Sequence, residues 1–152
     1  MSTGSRQRII IRQATEQDVD ALADINHLLQ QLNPVLAPLD RDRWAALVAA
    51  PETYIALANE VNSGWVMGMG ILACYNVVSG SKGWIEDVVV EADWRGKGVG
   101  RAIIEELLTE ARRRHLGAVY LTSTPQREAA NRLYSAVGFV RRTTNCYRYS
   151  IA

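Results

Sequence analysis

Apolar residues recur at helical spacing at Val19, Leu22, Ala23, Ile25, Leu28, Leu29 and Leu32, which predicts a helix from Thr15 to Leu32. Thr15 suits its N-cap, with Asp18 three residues on as a weak capping-box partner. "NPVLAP" breaks that helix, and Asp40 caps a shorter one carrying Trp44, Leu47 and Val48. Ahead of both, "RIIIRQA" (Arg8 to Ala14) reads as a strand. The runs "TYIALANE" and "GWVMGMGILACYNVV" flank the turn "VNSG", and "SGSKG" leads into a third strand from Trp84, giving an antiparallel meander. The period then changes: a helix from Gly98 to His115, a strand from Ala118 to Thr124, a helix from Pro125 to Val137 ended by Gly138, and a strand from Val140 to Tyr149. No repeat or linker divides the chain, so residues 1–152 are expected to form one domain, a central sheet with helices on both faces.

Composition narrows the function classes without choosing one. The chain is 48% hydrophobic and 22% charged, ordinary for a globular domain. A formal net charge of +1 provides no global field to draw it onto nucleic acid or a membrane. The basic run Arg112 to Arg114 ends a helix, where cations suit the dipole, and reads as a solvated face. No apolar run approaches the roughly 18–20 residues needed to span a bilayer, and the start "MSTGSRQRIII" has no signal-peptide core, so a cytoplasmic protein is expected. Cys74 and Cys146 lack the spacing of a metal pair and read as separate thiols, and no metal is expected. The last strand, "TTNCYRYSI", offers an edge through which two copies would pair as a homodimer.

Local charge is more informative. Arg95-Gly96-Lys97-Gly98-Val99-Gly100-Arg101 follows a strand directly and opens a helix. The first N–H groups of a helix have no internal partner, and with the helix dipole they form an anion site. Glycines let those amides approach a ligand unobstructed, and Arg95, Lys97 and Arg101 add more charge than one carboxylate needs. A pyrophosphate is the best-matched ligand. The dinucleotide fingerprint G-x-G-x-x-G fails, because counting from Gly96 its last position is Arg101; the phosphate-loop motif of nucleotide triphosphatases is absent.

The remaining form, R-x-x-G-x-G on Arg95, Gly98 and Gly100, resembles the acetyl-CoA pyrophosphate loop of the GNAT N-acetyltransferases. "REAANRLYSAVGF" (Arg127 to Phe139) is similar to that family's next helix, in which an Asn and a Tyr flank the CoA thiol; here these are Asn131 and Tyr134, three apart on one helix face. The resemblance implies an α/β GNAT fold: a mixed, mostly antiparallel twisted sheet of six to seven strands with about four helices on its two faces, splayed at the acetyl-CoA cleft. It also implies that the pantetheine arm pairs with the backbone of Val88, Val89 and Val90. The adenosine diphosphate end would lie on Arg95, Gly96, Lys97, Gly98, Val99, Gly100 and Arg101.

The chemistry expected of such a site is direct transfer. An amine attacks the thioester after losing its ammonium proton, the Val88 N–H faces the oxyanion, and Tyr134 protonates the leaving thiolate as general acid. Glu86 and Asp87 are two carboxylates in an apolar run, expected to face opposite ways. Glu86 is the candidate base or substrate ligand, and Asp87 its support. A non-catalytic acyl-CoA-binding module on the same fold is the rival expectation, and the presence of Tyr134 and Glu86 weighs against it.

"GWIEDVVVEADWRGKGVG" is especially similar to the matching stretch of eukaryotic glucosamine-6-phosphate N-acetyltransferases, which would place sugar contacts on Glu86, Asp87 and Val88, with Lys82 near the phosphate. "AVYLTSTPQ" lacks the acidic residue found there, and Tyr149 stands where that family has an arginine, unless Arg148 substitutes. "LTSTPQREAANRLY" looks more like a bacterial GNAT group. The acceptor amine thus stays open among a metabolite, an amino sugar, a peptide N-terminus and a lysine.

Overall fold

A computed structural model describes residues 8 to 151, which fall into two compact units divided after Leu121. The first unit holds five strands in the order β1-β2-β3-β4-β5: β1 (Ile9–Gln13), β2 (Thr53–Glu60), β3 (Val66–Val77), β4 (Gly80–Val90) and β5 (Ala118–Tyr120). β1 to β4 are antiparallel neighbours, the expected meander with β1 on its outer edge, and β5 joins β4 in parallel. Five strands stand where six to seven were expected. β4 begins at Gly80, ahead of the expected Trp84, because the hairpin turn is confined to Val78 and Ser79.

Two helices pack on one face of this sheet. The chain leaves β1 through a 3-10 turn (Glu16–Ala21) into α1 (Leu22–Leu32). At the entry the Thr15 N–H donates to the Asp18 carboxylate at 2.7 Å, and Arg12 grips the same carboxylate with two bonds of 2.9 and 2.7 Å. Burial works against the Asp18 charge, but these donors outweigh it and hold its pKa below the usual carboxylate range. α2 (Arg41–Ala49) is capped by Asp40, whose side chain accepts from the Arg43 N–H at 2.7 Å. Ile25, Leu28, Leu29 and the fully buried Trp44 pack with Ile55, Leu57, Met69 and Val89.

α3 (Val99–Arg113) covers the other face, where the sheet is built of small residues. The pairs Ala56–Gly70 and Ala58–Gly68 lie across from one another, and Ile103 and Leu107 descend onto Gly70. The basic run at the end of α3 is a structural anchor: Arg113 and Arg114 both bind the buried Glu110 carboxylate, and Arg114 also donates to the Pro51 carbonyl at 2.6 Å.

The second unit contains α4 (Glu128–Val137), ended by Gly138 in the left-handed region at φ 114°. Pro125 lies in a turn ahead of the helix instead of within its first turn. The expected strand from Val140 to Tyr149 is not formed, and those residues are irregular and exposed. Their alternating, β-prone sequence gains no ladder, because β propensity expresses packing against neighbours more than a backbone preference. The homodimer edge expected of that segment therefore lacks its strand. Among the described residues no helix is long and apolar enough to cross a membrane.

Candidate active site

The centre of β4 is irregular. Met69 pairs with Val89, but Ile71 pairs with Glu86, so Asp87 and Val88 together oppose Gly70. This is a β-bulge, and Asp87 sits at it with φ 51°, in the left-handed region. Alternation breaks there. Glu86 is paired with Ile71 on the α1 face, whereas the Val88 side chain points toward Gly70 on the α3 face, although the two are only two residues apart. The bulge falls between the two, at Asp87 and Val88, and both carboxylates are exposed. Desolvation pushes the Glu86 carboxyl above its ordinary pKa, with repulsion from Asp87 adding to it; desolvation alone raises Asp87.

The β4–β5 ladder covers only Lys82 to Trp84 on β4 and Ala118 to Tyr120 on β5. β5 ends at Tyr120, so beyond Trp84 β4 has no strand partner on that side. A bulge bends a strand and turns backbone groups out of the ladder. The stretch Val88 to Val90 is thus released from β5 on the side where an extended ligand would add.

One group of side chains was missed in the sequence. Trp84 stacks on Tyr120 with ring centroids 5.6 Å apart and planes at 28°, and its Nε1 donates to the Tyr75 hydroxyl at 3.1 Å. Trp84 is two residues from Glu86, ~7 Å along the strand and on the same face. The signal was present as an aromatic at i−2 from the carboxylate, but Tyr75 and Tyr120 are joined to it only by the strand register.

Past Val90 the chain makes a 3-10 turn (Ala92–Trp94) and enters the glycine turn. Gly96 and Gly98 take φ values of 73° and 85°, and Gly98 is the N-cap of α3. A residue with a Cβ would lose about 1–2 kcal/mol in that region. The Ala102 N–H donates to Gly98 at 3.0 Å, which leaves the amides of Val99, Gly100 and Arg101 without an intrahelical acceptor. No acidic residue occupies the first turn. The basic residues are disposed unequally. Lys97 lies over the Trp94 ring at 5.2 Å, Arg101 pairs with Glu105 at 2.8 Å on the surface, and Arg95 donates through Nε to the Val90 carbonyl at 3.0 Å. Open amides, left-handed glycines with empty space around them and adjacent cations fit a pyrophosphate.

Asn131 and Tyr134 belong to the second unit, one turn apart on α4. The Asn131 amide donates to the Thr124 carbonyl at 2.9 Å and ties the entering segment to the helix. Tyr134 is half-buried with Phe139 edge-on at 6.0 Å. Burial pushes its phenol above the ordinary value, with Arg127 opposing weakly, so the hydroxyl keeps its proton at neutral pH. Both cysteines are free thiols, and burial raises the Cys74 thiol despite Arg114 3.8 Å from its sulfur. Among the described residues no group of three or more His, Cys, Asp or Glu is placed to hold a metal.

Comparison with known proteins agrees with this arrangement. The rice (Oryza sativa subsp. japonica) protein named glucosamine 6-phosphate N-acetyltransferase 1 is 31% identical over 140 residues, 84% of this chain and 82% of that protein. A putative acetyltransferase from Agrobacterium tumefaciens str. C58 superposes with a TM-score of 0.81 at 25% identity, over 93% of this chain and 99% of that one. An aminoglycoside acetyltransferase from an uncultured soil metagenomic sample, solved with sisomicin, shares the fold at a TM-score of 0.83 and 13% identity, covering 95% of this chain and 97% of that one. The sequence profile of the acetyltransferase (GNAT) family matches residues 21–139. The family profile over residues 21–139 and these relatives lead to one conclusion: the chain belongs to the GNAT family and is an acetyl-CoA-dependent N-acetyltransferase.

Proposed function

We propose that Glu86 receives the acceptor amine and that the acceptor is a ring-bearing metabolite with a single reacting amine. The observation that carries this is the α1 face of β4, where a carboxylate with a raised pKa stands two residues from the Trp84–Tyr120 stack. A flat ring, aromatic or sugar, gains contact area on such a stack, while its ammonium meets Glu86 and Asp87. Lys82, two residues beyond Trp84, would suit an anionic substituent. An amino sugar phosphate is therefore the first acceptor to test, an assignment supported by the name of the rice relative.

In this mechanism Glu86 takes the ammonium proton, directly or through a water, and the amine lone pair attacks the thioester carbonyl. The Val88 N–H, at the bulge, donates to the oxyanion. The carbon–sulfur bond breaks, and Tyr134 gives its proton to the departing thiolate, whose free pKa is about 8.5. Asp87 raises Glu86 and so strengthens it as a base. Val88 to Val90 offer backbone groups to the pantetheine arm, Asn131 stands one turn from the acid, and Gly96 to Arg101 hold the pyrophosphate. Two free thiols suit a reducing, cytoplasmic setting.

The test is thiol release from acetyl-CoA with glucosamine-6-phosphate, arylalkylamines, polyamines, an aminoglycoside and short peptides. Ring-bearing amines should give the highest kcat/KM. Tyr134→Phe should lower kcat about 10²-fold or more, as loss of a general acid does, with little change in acetyl-CoA KM. Unchanged turnover in Tyr134→Phe at neutral pH would remove the acid assignment. A preference for polyamines over every ring-bearing amine would remove the acceptor assignment.

A further inference from the structure

The carboxylate of Glu91 has no place in the transfer chemistry, yet the side chain is only 10% exposed where β4 ends and the lead to the glycine turn begins. A charge so placed needs partners. They come from the far end of α1. Gln31 Nε2 donates to Glu91 Oε2 at 2.6 Å, and His27 Nε2 stands 3.1 Å from the same oxygen and 3.0 Å from Gln31 Nε2, its tautomer deciding which bond it makes. The other side of the Gln31 amide faces the turn. Its Oε1 accepts from the Ala92 N–H at 3.2 Å and lies 3.5 Å from Arg95 Nη2. The orientation is dictated by chemistry: a reversed amide would set oxygen against the carboxylate and NH₂ against a backbone N–H.

One side chain thus binds three consecutive features of the lead-in: the buried carboxylate, the first amide of the 3-10 turn and the first arginine of the motif. Otherwise this stretch is held by the Glu91 N–H to Met67 at 2.8 Å, the short-range bonds from Trp94 to Glu91 and from Arg95 to Ala92, and Arg95 to Val90. We propose that Gln31 is a positioning residue for the acetyl-CoA pyrophosphate turn, acting as a latch with Glu91. Arg95 belongs to the same latch, its guanidinium bonded to the Val90 carbonyl and lying 3.5 Å from Gln31 Oε1. The inference rests on the assignment of the turn to pyrophosphate.

An exchange of donor and acceptor tests it. Gln31→Ala removes the latch, and Gln31→Glu sets two carboxylates against each other. The double variant Gln31→Glu/Glu91→Gln restores the bond with its direction reversed, while the carboxylate introduced on α1 still accepts from the Ala92 N–H and from Arg95. Both single variants should raise the acetyl-CoA Kd by calorimetry, and KM, about 5- to 10-fold, the worth of one hydrogen bond, with kcat within about twofold. The double variant should return to within about twofold of the parent. Thermal denaturation identifies any variant that simply fails to fold, and the double variant then carries the test. Parent-like affinity in Gln31→Ala alongside weakened binding in Lys97→Ala would overturn the latch and leave the turn's role intact. Parent-like affinity in Lys97→Ala as well would overturn the pyrophosphate assignment itself. Singles that fold and bind weakly, without rescue in the double, would also overturn the latch.

Discussion

Asp87 sits in the left-handed region at a bulge, a conformation short polar side chains tolerate and β-branched ones resist. Asp87→Val should therefore destabilise the protein by about 1–2 kcal/mol, measured by denaturant unfolding. Asp87→Asn should leave the backbone alone and change the pH profile. As the proposed base Glu86 must be ionised to act, so kcat/KM should rise as pH climbs through its pKa. That pKa is raised by desolvation and then by Asp87. Removing the Asp87 charge should move the acid limb to lower pH, and an unmoved limb would mean that another group titrates there. The stability sign is opposite: a carboxyl whose pKa is raised by folding binds its proton more tightly in the native state, so its contribution falls as pH rises through that window. The Glu86–Asp87 pair was legible in the sequence. The bulge was not, because one extra residue within a run of valines leaves the pattern of apolar positions intact.

At the scale of elements, α3 comes close to β3 because Ala56 and Ala58 of β2 and Gly68 and Gly70 of β3 leave room for it at the middle of the contact. A Cβ on Gly70 would stand 2.7 Å from Ile103 Cγ2 and 3.1 Å from Leu107 Cδ1. Gly70→Ala should overpack this contact and cost about 1–3 kcal/mol. For a chain of this size that lowers Tm by about 2–4 °C per kcal/mol, which differential scanning calorimetry would register. A Tm at or above that of the parent would show that the helix shifts away freely. The helices and the meander were readable from periodicity and caps, down to the Asp40 cap and the Thr15–Asp18 pair. The misreadings fall at the starts of two helices, where Glu16–Ala21 is a 3-10 turn and α4 begins only at Glu128, and in the strands. β5 stops at Tyr120 and Val140–Tyr149 forms no strand, because β pairing is decided by a neighbouring edge that lies elsewhere in the chain.

For the molecule as a whole, acetyl-CoA binds the folded state and must stabilise it by linkage. At a concentration of about 100 times Kd the gain is about 2.7 kcal/mol. Thermal unfolding should show the corresponding rise in Tm, diminished in Lys97→Ala and in Arg101→Ala at the same ligand concentration. The shift should also shrink with added salt, since the net charge of +1 leaves the attraction to these local cations and to the α3 amides. An equal shift in parent and variants would place the pyrophosphate elsewhere.

The sequence by itself determined the helix-forming and strand-forming segments, the glycine turn with its charges, and the residue types that make acetyl transfer chemically sensible. These are local properties: spacing, caps and a motif whose function lies in consecutive backbone amides. Tertiary structure alone decided that β4 bulges at Asp87 and that its ladder with β5 stops at Trp84. It also joined Trp84 to Tyr75 and Tyr120, and seated the buried Glu91 on His27 and Gln31, about 60 residues earlier in the chain. Each of these depends on which strand edge or helix end meets which, and register and burial are set by the packed sheet rather than by any stretch of sequence read alone.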